Sequence, residues 1–358
     1  MVHRLTQLLR SRSGLLFEKT SYVWWAPVAM LGVAYLWELT PVAQRLEYVS
    51  VDLRFRARAP FDPPADPRLI YVGIDQPSLD QLGAWPWPRN IEAKFLDDIA
   101  GSGMTPNVVS FDILFTEDTD KLHLLQSKTG DNFDQLLGDA AGQLPSVITG
   151  AFSMAKEGDP LEEKEAEDRT QAELKRPSMT LPFTDIHGDR QNIIGSNSAK
   201  FPVTPLRTQS LFGFVNDEPN EFDGIRHKVP LVIRVCDKVY PTLSMQTICQ
   251  MLNVDADKVH VFLGKSIVLT NSSGKTWTIP INERGEFYIN YRNNSRFEST
   301  SLAFYLLLSV LDNHIKQGEK IPPQCQIDKK TLFIAGSAIG LSDLGRTPLG
   351  VDVPLGFT

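Results

Sequence analysis

Arg68-Leu-Ile-Tyr-Val-Gly-Ile-Asp75 and Val108-Val-Ser-Phe-Asp-Ile-Leu-Phe115 are the stretches whose reading decides the fold. Each is a short apolar run that reads as a strand buried on both faces. Between them, Ile91, Phe95 and Ile99 share one face of a helix, Asn90 stands where a cap can bond the first turn, and Gly101 and Gly103 close it. Strand, helix and strand in this order imply a right-handed crossover and a parallel strand pair.

Working outward, Asp131 to Leu144 reads as a helix and Ser146 to Phe152 as a strand. Ala155 to Arg176 differs: it holds eight acidic and five basic residues and almost no large apolar ones. Such a stretch buries too little surface to offset its ordering entropy, so it reads as a solvated insertion, partly helical or disordered. After Gly213 the chain is rich in strand signals. Asp223-Gly224, Ser272-Ser273-Gly274-Lys275 and Asn282 to Gly285 each suggest a hairpin. Pro241 to about Leu252 and Ser301 to Leu311 read as helices, the second apolar enough to be deeply buried. Thr331 to Ala335 is a late strand. The fold class is therefore α/β: a mixed, partly parallel sheet flanked by helices, with β-hairpins in the second half.

The 358 residues include 42% hydrophobic and 22% charged positions, ordinary for a chain that buries a core. A net charge of −7 gives no global basic footprint, which argues against nucleic acid as a partner on charge grounds. Cys236, Cys249 and Cys325 lack metal-site spacing; one bridge, Cys236 to Cys249, and three buried free thiols both fit the sequence.

No charged residue falls between Thr20 and Trp37, an 18-residue stretch bracketed by Lys19 and Glu38. Trp24, Trp25, Tyr35 and Trp37 lie towards its ends as an interfacial aromatic belt does. The stretch reads as an uncleaved transmembrane helix. A cleaved signal peptide is the rival, and its best site, Pro41 at −3 and Ala43 at −1, matches poorly. Arg4, Arg10, Arg12 and Lys19 precede the span, but Arg45, Arg54, Arg56 and Arg58 follow it, so charge alone does not orient it. Pro41 to Arg58 continues as a juxtamembrane helix, with Leu46, Val49 and Leu53 at helical spacing.

An ordered series of motifs runs through the chain. It begins Asp52-Leu-Arg54-Phe-Arg56, Ile74-Asp75, Ser78-Leu79, Leu82-Gly83, Trp85-Pro-Trp-Pro-Arg89 and Phe111-Asp112-x-x-Phe115-x-Glu117-Asp118. It continues with Gly213-Phe-Val-Asn216, Asp223-Gly-Ile-Arg226, Val229-Pro-Leu231, Asn290-Tyr-Arg292 and Phe333-Ile-Ala-Gly336-x-x-Ala338-x-Gly340-Leu-x-Asp343. In this series the chain resembles the type-two CHASE (CHASE2) sensor domain, an extracytoplasmic module of bacterial cyclases, histidine kinases and Ser/Thr kinases. Ala155 to Arg176 departs from the pattern. The resemblance implies a cytoplasmic tail over 1–19, a transmembrane helix over 20–39 in the inner membrane, and a periplasmic or extracellular domain over 40–358 carrying the 155–176 insertion. It also implies a homodimer, an extracytoplasmic ligand, no cofactor, and a kinase or cyclase output outside these residues.

The candidate ligand-binding residues are Asp75, Trp85, Trp87, Arg89, Asp112 and Glu117. Asp75 and Asp112 close parallel strands, where open α/β sheets bind ligands. With Glu117 they can form a carboxylate pocket for a divalent cation or a cationic ligand. They can equally cap neighbouring loops or pair with Arg89. Trp85 and Trp87 can wall a site or lock a loop onto the core. An extracytoplasmic metal-dependent hydrolase and a ligand-free scaffold are the rival functions, but no nucleophile or metal motif accompanies the carboxylates. Gly336-Ser-Ala-Ile-Gly340 lacks dinucleotide-loop spacing, and Gly264-Lys265-Ser266 and Gly274-Lys275-Thr276 lack the first P-loop glycine.

Overall fold

The computed structural model of the protein describes residues 27–33, 35, 40–117, 132–154, 160–216, 224–292, 300–338, 341, 344–349 and 352–354. These fall into two compact units, Met1–Arg58 and Ala59–Thr358. In the first unit, residues 27–33 and 35 are helical, and helix α1 follows at Pro41–Arg58. The rest of the expected transmembrane stretch, 20–26, 34 and 36–39, lies outside the described residues. Among the described residues no helix is long and apolar enough to cross a membrane.

In the second unit the elements run β1 (Leu69–Ile74), α2 (Gln76–Leu82), α3 (Asn90–Gly101), β2 (Val108–Leu114), α4 (Phe133–Ala141), β3 (Val147–Met154) and α5 (Pro160–Glu173). Then come β4 (Asp185–His187), β5 (Gly195–Ser196), β6 (Ser198–Lys200), α6 (Thr204–Gln209), β7 (Leu211–Phe214), β8 (Lys228–Pro230), β9 (Val232–Val235) and β10 (Lys238–Pro241). The unit continues with α7 (Leu243–Leu252), β11 (Val259–Phe262), β12 (Ser266–Thr270), β13 (Thr276–Pro280), β14 (Glu286–Tyr288), β15 (Ser301–Ala303) and α8 (Phe304–Gln317). It closes with β16 (Thr331–Gly336), β17 (Leu344–Arg346) and β18 (Asp352–Pro354).

The main sheet has seven strands in the order β15-β1-β16-β2-β3-β6, with β7 also paired to β3. Every pairing in it is parallel except β3 with β6. β1 and β2 are thus parallel, as their sequence predicts, but they are not neighbours: β16 lies between them, matching Val72 to Ile334 on one side and Val109 to Leu332 on the other. The core beneath the sheet joins Ile70, Val72, Phe95, Leu96, Phe304 and Leu311. A second cluster, with Val259, Val261, Ile267 and Leu269 at its centre, fills the β11–β13 sheet and α7.

Several expectations change at element ends. The Pro88 and Arg89 carbonyls already accept from Ile91 and Ala93, so Arg89 takes the cap position of α3 and Asn90 is its first residue. Pro241 pairs with Val232 and stays in β10; the Thr242 hydroxyl caps α7 instead. Ser301–Ala303 pairs with β1, so the helix starts at Phe304 and runs on to Gln317. The Ser272–Lys275 turn does join the β12–β13 hairpin. Asn282–Gly285 is a tight turn but no hairpin, because β14 leaves it to pair with β8. The Asp223 turn and Asp131 lie outside the described residues. All three cysteines are free and buried.

The charged insertion is the largest departure. Residues 155–159 are outside the described set, but 160–173 form α5, and its C-terminal half is anchored. Thr170 is 1% exposed, and its hydroxyl accepts from the Ala199 N–H of β6 at 3.0 Å. Leu174 packs on the cluster around Phe201, Phe212 and Phe214. Glu173 reaches Arg207 on α6 at 3.0 Å.

Candidate functional site

The C-terminal edge of the sheet gathers most of the residues singled out by sequence. Asp75 follows β1 directly and caps α2: its Oδ1 accepts from the Ser78 N–H at 3.0 Å and from the Ser78 hydroxyl at 2.6 Å. Ser78, fully buried, then accepts from the Tyr305 N–H at 3.0 Å, which ties the start of α8 to the same cap. The Ser337 and Ala338 N–H groups both donate to the Ile74 carbonyl at 3.0 Å, so those amides do not face a phosphate.

The Trp-Pro-Trp-Pro-Arg turn is built into the core. Trp87 is 2% exposed, its indole N–H donates to the Gly83 carbonyl at 2.8 Å, and its ring lies 5.1 Å from Phe304. Trp85, half-buried, meets Trp87 edge-on at 5.2 Å; the Trp85–Pro86 bond is cis. Trp87 therefore takes the loop-locking role of the two read from the sequence.

Arg89 is the hub. It is 5% exposed and pairs with Asp134, itself 6% exposed, at the start of α4. It also donates to the Glu117 carbonyl in the loop after β2 and lies over the Phe115 ring at 5.6 Å. One guanidinium thus joins the starts of α3 and α4 to the end of β2. A bidentate cation satisfied by carboxylate and carbonyl is the favourable form of a buried charge.

Asp134 was not legible as this partner. Its signal is local, an acidic residue in the first turn of a helix capped by the Asn132 side chain. The Glu117 carboxylate points elsewhere, to Lys200 at 3.4 Å on the surface. Asp112 is half-buried and sits where the β2–β3 register shifts between Ser110 and Leu114, a bulge of the kind that redirects a side chain. Asp75 and Glu117 are thus committed to different partners. Among the described residues no group of three or more His, Cys, Asp or Glu side chains is placed to hold a metal ion.

Glu92, one turn into α3, was missed by sequence reasoning. It is 2% exposed and its Oε2 has no hydrogen-bond partner. Burial pushes its carboxyl from 4.5 up to about 8, against the pull of its own backbone N–H and of Arg89. The edge therefore holds a buried salt bridge, Arg89 with Asp134, beside a carboxyl that is protonated at neutral pH. Asp75, Trp87 and Arg89 are spent on neighbouring groups, which fixes helix starts and strand ends relative to each other.

The Gly213-Phe-Val-Asn216 motif has a similar role. A Cβ on Gly213 would stand 2.5 Å from the Leu243 Cα, so glycine lets α7 press onto β7. The Asn216 side chain accepts from the Ser153 N–H at 2.8 Å and donates to its carbonyl at 2.6 Å, extending the β3–β7 ladder by one step.

This sheet and its flanking helices define an α/β domain, and comparison with known proteins gives the family. The CHASE2 domain, a sensor module, matches residues 28–357, nearly the whole chain. The chain belongs to the CHASE2 domain family. No curated protein and no solved structure matches it.

Proposed function

We propose that the protein is a membrane-anchored extracytoplasmic sensory domain that perceives a stimulus and relays it to a kinase or cyclase output. The family match across 28–357 carries this reading. The uncharged stretch from Thr20 to Trp37 supports an anchor in the inner membrane, with 1–19 cytoplasmic and 40–358 on the far side. Helix α1, unbroken from Pro41 to Arg58, supports the juxtamembrane helix expected to follow the anchor. A stimulus acts by binding two arrangements of the domain unequally; a ligand with equal affinity for both shifts nothing. The hydrolase alternative draws no support from the carboxylates, since Asp75 is occupied by a helix cap and Glu117 by a surface lysine.

Reporter fusions test the placement. Alkaline phosphatase joined after Arg58 and after Thr358 is expected to be active at both points, with a cytoplasmic fluorescent reporter dark. Cytoplasmic behaviour at either junction overturns the topology.

A further inference from the structure

A cavity of about 620 Å³ lies at the opposite, N-terminal edge of the main sheet, where β3 and β7 begin at Val147 and Leu211. That volume is in the range of sites for small organic ligands. One wall is α7. The helix starts against Gly213, near the end of β7, and runs back to the base of the sheet, where Gln250 comes within 3.5 Å of the Ser146 hydroxyl. Gln246 and Gln250, one turn apart, both line the space, and Gln209 at the end of α6 lines it from the other side.

Gln246 is the telling residue. It is only 7% exposed and borders the cavity, and among the described residues no other group hydrogen-bonds its side-chain amide, which stays open to solvent in the cavity. Once a ligand displaces water from the cavity, leaving this amide unpaired costs about 1–3 kcal/mol, so a ligand able to pair with it is favoured over one that is not. Its donor and its acceptor suit a head group that offers the converse pair. The rest of the lining fits an apolar body: Phe183, Leu211 and Val254 inside, with Met179 and Leu181 at 51% and 62% exposure on the open side. Among the described residues no Lys, Arg or His lines the space. Its two carboxylates, Asp255 and Asp257, are exposed, and Asp257 pairs with Lys258 at 3.0 Å. An anion would find no countercharge among the lining residues.

We propose that this cavity binds a small uncharged molecule composed of an apolar body and a hydrogen-bonding head of the amide type, with Gln246 reading the head. The ligand class rests on the cavity alone; that such a molecule is the stimulus rests on the sensory role proposed above.

The test is a ligand-observed NMR titration of the purified full chain with three probes of one shape: phenylpropanamide, phenylpropanoate and phenylpropylammonium. Saturable binding of the amide, with the carboxylate at least about tenfold weaker, is expected. Gln246→Leu keeps the volume and removes both hydrogen-bonding groups; it should weaken the amide about tenfold or more while the melting temperature stays close to wild type. Leu181→Trp, at an exposed position, should fill the opening and block the amide without disturbing the core. Failure of the amide to bind overturns the proposal. So does equal binding of all three probes, a preference for the ammonium, or undiminished amide binding by both variants. The titration reads binding, not output, so it can fail while the topology and signalling role stand, and the reverse.

Discussion

A single carboxyl, Glu92, gives the domain a pH dependence that its surface charges do not. Its native value of about 8 lies above the ordinary 4.5, so between those limits the native state holds more protons than the unfolded chain. Stability from this group is full below about pH 4.5 and is lost as pH rises through 8, in total on the order of a few kcal/mol. Glu92→Gln keeps the shape and cannot ionise. Urea unfolding at pH 5 and pH 8.5 should therefore show wild type losing midpoint across that window and the variant losing much less. Equal losses in both proteins would mean that Glu92 is ionised in the native state.

At the scale of elements, the insertion shows where sequence reading stops. α5 looks solvated because its anchors are few and unlike a hydrophobic face: Thr170, Glu173 and Leu174 in a charged run. Arg207, with 3% of its side chain exposed, stacks over Phe201 at 4.6 Å, donates to the Glu173 carboxylate at 3.0 Å and to its carbonyl at 2.7 Å. Burial pulls the guanidinium below its ordinary value, with Glu173 the first of the groups opposing that shift. Glu173→Ala leaves that cation in the interior without its carboxylate and should cost about 3 kcal/mol in denaturant melts, with faster proteolysis within 160–173. Adding Arg207→Met should recover much of the loss. Additive losses in the double variant would show that the two residues do not act as a pair.

The strands β1, β2, β3 and β16 were legible because a run buried on both faces is nearly continuous in apolar residues. Their neighbour order was not, since nothing local in 69–115 announces that Thr331–Gly336 will lie between the two runs. The Arg89 hub was half legible. Its rigid turn and guanidinium stand out in the sequence, but the partner Asp134 is 45 residues away and carries no signal beyond its helix start.

At the scale of the whole molecule, α1 shows an exposed apolar seam. Val42, Leu46, Val49 and Leu53 are 53–59% exposed and follow the four-three-four spacing of a coiled coil. The homodimer expected from the resemblance can be tested on this seam, because the spacing is one against which a second copy of the helix can pack. With cysteine placed at Val49, oxidation in native membranes should give a covalent dimer. Cysteine at Glu47, off the seam, should give far less. Equal yields at the two positions would remove the seam from the interface.

The central place of β16 sets a timetable for making the protein. The strands on either side of it, β1 and β2, leave the ribosome more than 200 residues earlier by sequence number. Until Thr331–Gly336 arrives, both present bare edges to whatever else is in the compartment, and the sheet has a gap at its middle instead of at its rim. Closing that gap needs contacts of long sequence separation, which form slowly. A nascent chain halted before residue 331 therefore cannot complete this sheet, and the unfinished protein is the form with most need of a chaperone during synthesis.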